Sequence, residues 1–143
     1  MDIITTHVNA DFDCLGGMIA AKKLYPDAEM VFAGGQERSL REFFLKSAIY
    51  AYDFKRIKEI DLNGVKRLVL VDVHHSGRIG PFGAVAMRPD VEIHLYDHHV
   101  EGQGDLRGTV EHIEAVGATV TVFAEIFLEK GIRPTPDEAT MMM

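Results

Sequence analysis

Short apolar runs alternate along the chain with segments of helical periodicity. Continuous apolar runs predict strands at 2–7, 29–34, 66–72, 91–97 and 109–113. Between them, apolar residues recur every three or four positions and predict helices at 14–25, 37–48 and 118–130. A run such as KRLVLVD suits a central parallel strand that is covered on both faces. The pattern therefore predicts an α/β fold: an open, mainly parallel five-stranded sheet with helices on both faces.

The end of the chain carries the signature of a further helix. Thr135 stands at the cap position, Pro136 at the first helical position and Glu138 three residues after the cap. The chain then stops at Met143, before the apolar face of this helix is complete. We therefore expect residues 1–143 to be one domain of a longer polypeptide. A short frayed tail is the alternative.

The composition is that of a globular protein without a membrane helix. The chain has 143 residues, of which 47% are hydrophobic and 26% charged, as in one globular domain. No apolar run approaches the roughly 18 residues of a membrane helix, and the N-terminus does not resemble a signal peptide. Cys14 is the only cysteine, which excludes an internal disulfide and favours a reducing cytoplasm. The net charge of −7 argues against a general binder of nucleic-acid backbones.

Metal-binding side chains follow three of the predicted strands. They are His7, Asn9, Asp11 and Asp13 at and after the end of the first strand, Asp72 at the end of the central strand, and Asp97, His98 and His99 at the end of the next. In an open parallel sheet the carboxyl ends of the strands meet at one edge, where ligands bind. The sequence therefore predicts that these groups converge.

A cluster of carboxylates needs a compensating charge. Two carboxylates about 4 Å apart repel each other by about 4 kcal/mol at an effective dielectric of about 20. Divalent cations remove this conflict, and a mixture of carboxylate and imidazole ligands favours Mn, Zn or Fe. The spacing of Asp11 and Asp13 allows them to face different ions, with His7 joining Asp11 and Asp72 bridging both. Such a pair of ions is typical of sites that clamp phosphoryl groups.

Simpler interpretations exist for single residues. Asn9, Asp11 or Asp13 alone would serve as the cap of the helix that begins near Cys14. His74 and His75 follow Asp72 in a polar turn, and we predict that both are exposed, with a role as metal ligands as the alternative. Arg78 is a candidate phosphate contact, with an ordinary surface arginine as the alternative.

Three motifs in order resemble those of the DHH phosphoesterase superfamily. They are HVNADFD (7–13), VDVHHSGRIG (71–80) and YDHH (96–99), and GATVTVFAE (117–125) is similar to the segment before the family's fourth motif. The family includes RecJ-type exonucleases, manganese-dependent pyrophosphatases, oligoribonucleases and cyclic-dinucleotide phosphodiesterases. The resemblance covers almost the whole chain. It implies hydrolysis by a metal-activated water that attacks phosphorus in line.

The resemblance also implies a role for each motif residue. One Mn²⁺ ion would be held by His7, Asp11 and Asp72, and a second by Asp13, Asp72 and His98. His99 would contact the substrate phosphate, and Asp97 would orient an imidazole from behind the ligands. Asn9 and Arg78 are the further candidate substrate contacts. The sequence does not choose between Mn²⁺ and Mg²⁺.

Two parts of the family pattern are missing. The aspartate of the fourth motif would lie beyond Met143, and the family's C-terminal substrate domain is absent. We therefore expect a weak second metal site and little hydrolysis by this chain alone. The stretch DFDCLGGMIAAKKLYPDA resembles DHH domains at the N-terminus of longer proteins with CBS domains and a tRNA nucleotidyltransferase-like region.

The motifs and composition leave three candidate functions. The favoured one is a metal-dependent phosphoesterase domain acting on a phosphodiester or phosphoanhydride of a nucleotide or short oligonucleotide. The second is a nucleotide-binding or regulatory module of a larger RNA-processing protein with little turnover. The third, a purely structural domain, is disfavoured by the converging motifs. The expected partners are the nucleotide substrate and the C-terminal remainder of the parent chain, with no membrane, and a homodimer is left open.

Overall fold

The computed structural model describes residues 1–35, 38–43, 52–98, 104–114 and 116–142. Six parallel strands form one sheet in the order β3-β2-β1-β4-β5-β6. The strands are β1 (Asp2–Thr5), β2 (Glu29–Val31), β3 (Phe54–Lys55), β4 (Arg67–Val71), β5 (Glu92–Asp97) and β6 (Val110–Ile113). The predicted α/β architecture is confirmed. The sequence missed only β3, because two residues are too few to make a pattern.

Among the residues that the structure describes, five α-helices connect and cover these strands. They are α1 (Phe12–Leu24), α2 (Arg38–Phe43), α3 (Phe82–Ala86), α4 (Thr119–Lys130) and α5 (Pro136–Met142). Helices α1 and α4 confirm the predictions at 14–25 and 118–130. The end of the predicted helix 37–48 lies outside the described residues, and the five-residue α3 was not predicted. None of the helices described is long and apolar enough to cross a membrane.

The sheet is buried on both faces by alternating residues of its strands. On one face Leu68 and Leu70 of β4 pack in a cluster that includes Phe82 of α3. On the other face Val69 and Val71 pack in a cluster with residues of α1 and α4, including Phe123. Burial on both sides explains why β4 is a continuous apolar run rather than an alternating one.

Helix α1 lies unusually close to β4. A Cβ atom built on Gly17 would fall 2.3 Å from Cγ1 of Val71. Since real Cβ atoms do not approach so closely, a glycine is required where the helix crosses the strand. This close crossing places the first turn of α1 beside the carboxyl end of β4.

Helix α5 begins as predicted, with a reciprocal capping box. The Glu138 amide donates to Thr135 Oγ1 at 3.2 Å, and the Thr135 amide donates to Glu138 Oε1 at 2.7 Å. Lys23 of α1 also donates to Glu138 Oε1 at 3.1 Å, in a partly buried ion pair. These contacts fix the start of α5 against α1.

Candidate metal centre

Asp72 stands at the centre of the candidate site, directly after β4. It is only 3% exposed, and its φ of 63° lies in the left-handed region. Its amide donates to the Tyr96 carbonyl at 2.8 Å, which continues the pairing of β4 with β5. A non-glycine residue in this region costs on the order of 1–3 kcal/mol and persists only where its surroundings hold it. The backbone therefore aims this carboxylate at a defined position.

Two imidazoles from different strand ends face opposite oxygens of this carboxylate. His7 Nε2 lies 3.4 Å from Asp72 Oδ2, and His98 Nε2 lies 2.9 Å from Oδ1. Thr119, the first residue of α4, donates from Oγ1 to Oδ1 at 2.8 Å. The convergence of His7, Asp72 and His98 follows the prediction from the sheet topology. Each carboxylate oxygen thus shares its surroundings with a different potential metal ligand.

The tautomer of His7 suits a metal ligand. Nδ1 lies 2.7 Å from the Val8 carbonyl, an acceptor, so Nδ1 must be the donor. In the neutral ring Nε2 then carries the lone pair, and it points towards the carboxylate of Asp72. The Nε2 lone pair and the Asp72 oxygen repel each other, because both are acceptors. A proton or a metal cation between them removes this repulsion. The donor set therefore fits a divalent ion.

The pKa values of this pair reflect the same geometry. The hydrogen bond with Asp72 raises the pKa of His7, against the opposing effect of burial. Burial alone would raise the pKa of Asp72, but hydrogen bonds from His7, Thr119 and Cys14 outweigh it and lower this pKa. Without a metal, the two residues therefore tend towards an imidazolium–carboxylate pair.

Cys14 belongs to the same cluster. Its Sγ lies 3.1 Å from His7 Nε2 and 3.4 Å from Asp72 Oδ2, and the side chain is fully buried. Burial raises the pKa of this thiol well above its usual range, so it is neutral when no cation is present. Two groups of potential ligands occur among the described residues: His7, Cys14 and Asp72, and Asp72, Asp97 and His98.

The carboxylate of Asp97 has different hydrogen-bond partners from that of Asp72. It is 1% exposed, its Oδ2 accepts from His74 Nδ1 at 2.5 Å, and its Oδ1 accepts from the His98 amide at 2.8 Å. Both oxygens thus hold neighbouring groups in place. This arrangement suits an orienting residue better than a ligand, and the imidazole that it contacts is His74.

The prediction that His74 is exposed was wrong. The side chain is 8% exposed because the Asp97 carboxylate turns it inwards and Gly104 lies against its ring. A Cβ on Gly104 would fall 1.7 Å from His74 Cδ2, so only a glycine fits there. His75 is exposed, as predicted.

The aspartates of the first motif lie at the start of α1. Asp11 is the cap residue, and its Oδ1 accepts from the Cys14 amide at 3.1 Å. This contact confirms the capping role that was the alternative for Asp11. Asp13 is exposed in the first turn. Neither carboxylate belongs to the two ligand groups found among the described residues. Their assignment as metal ligands therefore stays a prediction.

The candidate substrate contacts surround this cluster. Asn9 is exposed, with a φ of 58°, and its amide donates to the Gly35 carbonyl at 2.8 Å. Arg78 is exposed too, yet its charge lies near enough to lower the pKa of His7 against the dominant effect of Asp72. His99, the predicted phosphate contact, lies outside the described residues.

The sequence did not assign three residues that the fold brings to the site: Cys14, His74 and Thr119. Cys14 directly follows the first motif and His74 lies within the second, so their position beside the proposed ligands in the sequence could have indicated them. Thr119 had a weaker signal, because it starts a helix after a strand end. Its contact with Asp72 depends on how α4 packs.

Comparisons with known proteins place the chain among relatives that are much longer. The N-terminal domain of the DHH family matches residues 3–143. An A-adding tRNA nucleotidyltransferase of Geobacter sulfurreducens is 54% identical over 143 residues, which is 100% of this chain and 16% of that protein. Its counterpart from Aquifex aeolicus is 34% identical over 140 residues, with 98% of the chain and 16% of that protein covered.

A solved structure shows the same fold. An exopolyphosphatase-related protein from Bacteroides fragilis matches with a TM-score of 0.68 over 91% of this chain and 39% of its own. At 15% identity this likeness concerns the fold alone. The chain spans about one sixth of the length of the two nucleotidyltransferases.

Proposed function

Because the chain belongs to the DHH family, we propose that it is a divalent-metal-dependent phosphoesterase domain. Its substrate would be a phosphodiester or phosphoanhydride of a nucleotide or short oligonucleotide. The observation that carries the proposal is the surroundings of Asp72. One carboxylate, buried and fixed by its backbone, has His7 on one oxygen and His98 on the other. This is the arrangement expected of a carboxylate that bridges two ions.

The ligand sets proposed are those that the family motifs imply. His7, Asp11 and Asp72 would hold one ion, and Asp13, Asp72 and His98 the other. When bound, a pair of divalent ions supplies Lewis acidity and a water nucleophile at neutral pH. The family depends on divalent metals, and we propose Mn²⁺ here, with Mg²⁺ as the competing ion.

The remaining motif residues would position the substrate and the ligands. The positive charge of Arg78 acts on His7, so a phosphate oxygen bound beside His7 would accept from its guanidinium. Asn9 and His99 are proposed as further phosphate contacts. Asp97 holds His74 and the backbone of His98, so it would keep the second imidazole in place.

The first test is a calorimetric titration of Mn²⁺ into the metal-free chain. We expect binding that is lost in an Asp72→Asn variant, because the shared carboxylate would serve both ions. Asp27→Asn is the matched control, since Asp27 is exposed and precedes β2, at the opposite edge of the sheet from Asp72. Equal binding by all three chains would place the ions elsewhere and refute the site.

The second test is hydrolysis. Since little hydrolysis is expected of this chain alone, the test uses the longer protein of which we propose it is a domain. With Mn²⁺ present, that protein is expected to cleave members of a panel of dinucleotides, short oligoribonucleotides and pyrophosphate, and Asp72→Asn is expected to abolish this. Binding of Mn²⁺ and nucleotide without turnover of any of them by the longer protein would reject the enzyme and favour the second candidate.

That second candidate is a nucleotide-binding module of a longer RNA-processing protein. The identity of 54% to an A-adding tRNA nucleotidyltransferase, over the whole of this chain, is the observation that favours it. In this case Asp72→Asn would weaken nucleotide binding in the presence of Mn²⁺, although the wild-type chain hydrolyses nothing. The two candidates therefore share a site and differ in turnover.

A further inference from the structure

The only cysteine of the chain lies inside the candidate metal centre. Cys14 Sγ, His7 Nε2 and Asp72 Oδ2 form a triangle with sides of 3.1, 3.4 and 3.4 Å. All three side chains are buried, and they come from the first turn of α1 and the ends of β1 and β4. A thiol that only filled space in the core would have no need of an imidazole nitrogen and a carboxylate oxygen as its neighbours.

We propose that Cys14 is itself a ligand of the ion held by His7 and Asp72, and that its sulfur tunes this site towards Zn²⁺ and similar softer ions. The inference rests on the metal centre of the proposed function, but not on turnover. It adds a thiolate to a set of ligands that the motifs describe as nitrogen and oxygen only.

The size of the triangle fits one face of a tetrahedral site. Bonds of about 2.0–2.3 Å from the metal to nitrogen, oxygen and sulfur place neighbouring tetrahedral ligands about 3.4–3.6 Å apart. The sides of 3.1–3.4 Å in the structure are slightly shorter, as expected for groups joined by hydrogen bonds. A cation would enter by a small outward displacement of the three atoms. The fourth position would be left for water, Asp11 or substrate.

The charges also balance. On binding, the Sγ–H bond of Cys14 breaks, its proton leaves to solvent, and the sulfur electron pair forms the bond to the metal. Any proton on His7 Nε2 leaves in the same way and frees the nitrogen lone pair for the metal. The thiolate then adds a negative charge to that of the Asp72 carboxylate, which the proposed second ion shares, beside a neutral His7. These negative charges offset those of the buried cations and avoid the cost of burying unpaired charges.

A thiolate changes which metal the site prefers. Sulfur ligands bind Zn²⁺ and Co²⁺ well, whereas Mn²⁺ and Mg²⁺ prefer oxygen. We therefore expect the site nearest His7 to bind Zn²⁺ more tightly, relative to Mn²⁺, than it does once the thiol is removed. The site nearest His98 has no sulfur among its described ligands and keeps the preference for harder ions.

Co²⁺ provides a direct probe, because a bond from sulfur to cobalt gives a charge-transfer band in the near ultraviolet. The chain has one cysteine, so any such band reports Cys14. We expect the band to appear as Co²⁺ is added to the metal-free chain, together with the visible d–d bands of bound cobalt. Cys14→Ser, which is nearly the same size, is expected to keep the d–d bands and to lack the charge-transfer band.

The metal preference is the second readout. In competition experiments the ratio of Zn²⁺ to Mn²⁺ affinity should fall at least about tenfold in Cys14→Ala. Cobalt d–d bands without the sulfur band in the wild-type chain would overturn the inference and leave the metal centre of the proposed function intact. Absence of any cobalt or manganese binding would overturn both. The wild-type spectrum decides the question even if a variant fails to fold.

Discussion

At the scale of single residues, Asp72 combines three features that rarely occur together. It is buried, its backbone is left-handed, and its carboxylate contacts two imidazoles, a hydroxyl and a thiol. Each feature has a cost in the metal-free chain: strain, desolvation and the ordering of four partners. Such unfavourable features are common at functional sites, because a functional site holds side chains in positions that do not maximise the stability of the fold.

The His7–Asp72 pair predicts how stability depends on pH. The folded state raises the pKa of His7 above its ordinary 6.5. A raised pKa means that the folded state binds the proton more tightly. Its contribution to stability is therefore complete below that ordinary value and is lost as the pH rises through the folded pKa. Asp72, whose pKa is lowered, supplies the partner charge throughout this range.

We therefore expect His7→Gln to lower the free energy of unfolding of the metal-free chain, and to lower it more at about pH 6 than at about pH 9. Urea unfolding at both pH values measures the two differences. His75→Gln, at an exposed histidine, is the control that shows the effect of replacing a histidine elsewhere in the chain. A difference that stays constant or grows with pH would contradict the assigned pair.

At the scale of secondary-structure elements, the packing of α1 on β4 builds one side of the site. Gly17 permits the close approach, and the first turn of α1 then carries Asp11 and Cys14 to the end of β4. Helix α4 closes the other side, where Thr119 reaches Asp72. The site therefore depends on how two helices sit on the sheet as well as on the loops that carry the motifs.

Substitution of Gly17 by Ala tests this dependence. The added methyl group would meet Val71, a stiff β-branched side chain, so the helix must move away from the strand. We expect a loss of about 1–3 kcal/mol in the free energy of unfolding, as for an overpacked core, together with weaker metal binding. Gly117→Ala, where no atom lies within 4 Å of the added Cβ, should stay within about 0.5 kcal/mol. Equal effects of the two changes would show that the close crossing is unimportant.

At the scale of the whole molecule, the proposed ligands come from three strands that are far apart in sequence. His7, Asp72 and His98 follow β1, β4 and β5, which are neighbours in the sheet. Unfolding separates these residues, so an ion that needs all of them binds only the folded chain. Metal binding and folding should therefore be coupled.

This coupling has a defined size. Free Mn²⁺ at about 100 times its Kd should raise the free energy of unfolding by about 2.7 kcal/mol, and the gain should vanish in Asp72→Asn. Chemical denaturation with and without Mn²⁺ measures it. Hydrogen exchange at the ends of β1, β4 and β5 should slow in parallel. Stabilisation that survives in the variant would indicate that Mn²⁺ binds at other positions.

The sequence by itself determined the type of fold and the candidates for the site. Apolar runs and helical spacing depend on local order along the chain, so the five longer strands and the two long helices were predictable. The convergence of His7, Asp72 and His98 was also predictable, because parallel strands bring their carboxyl ends to one edge. The capping box of α5 was also predictable, because Thr135 and Glu138 are neighbours along the chain.

Only the tertiary structure decided which side chains touch. The two-residue β3 is held by its pairing with β2, which no local pattern reveals. His74 is buried because Asp97 and Gly104, distant in sequence, surround it. Cys14 and Thr119 reach Asp72 because two helices pack against the end of one strand. Such contacts depend on distances of a few ångströms between separate elements, and periodicity along a chain carries no information about them.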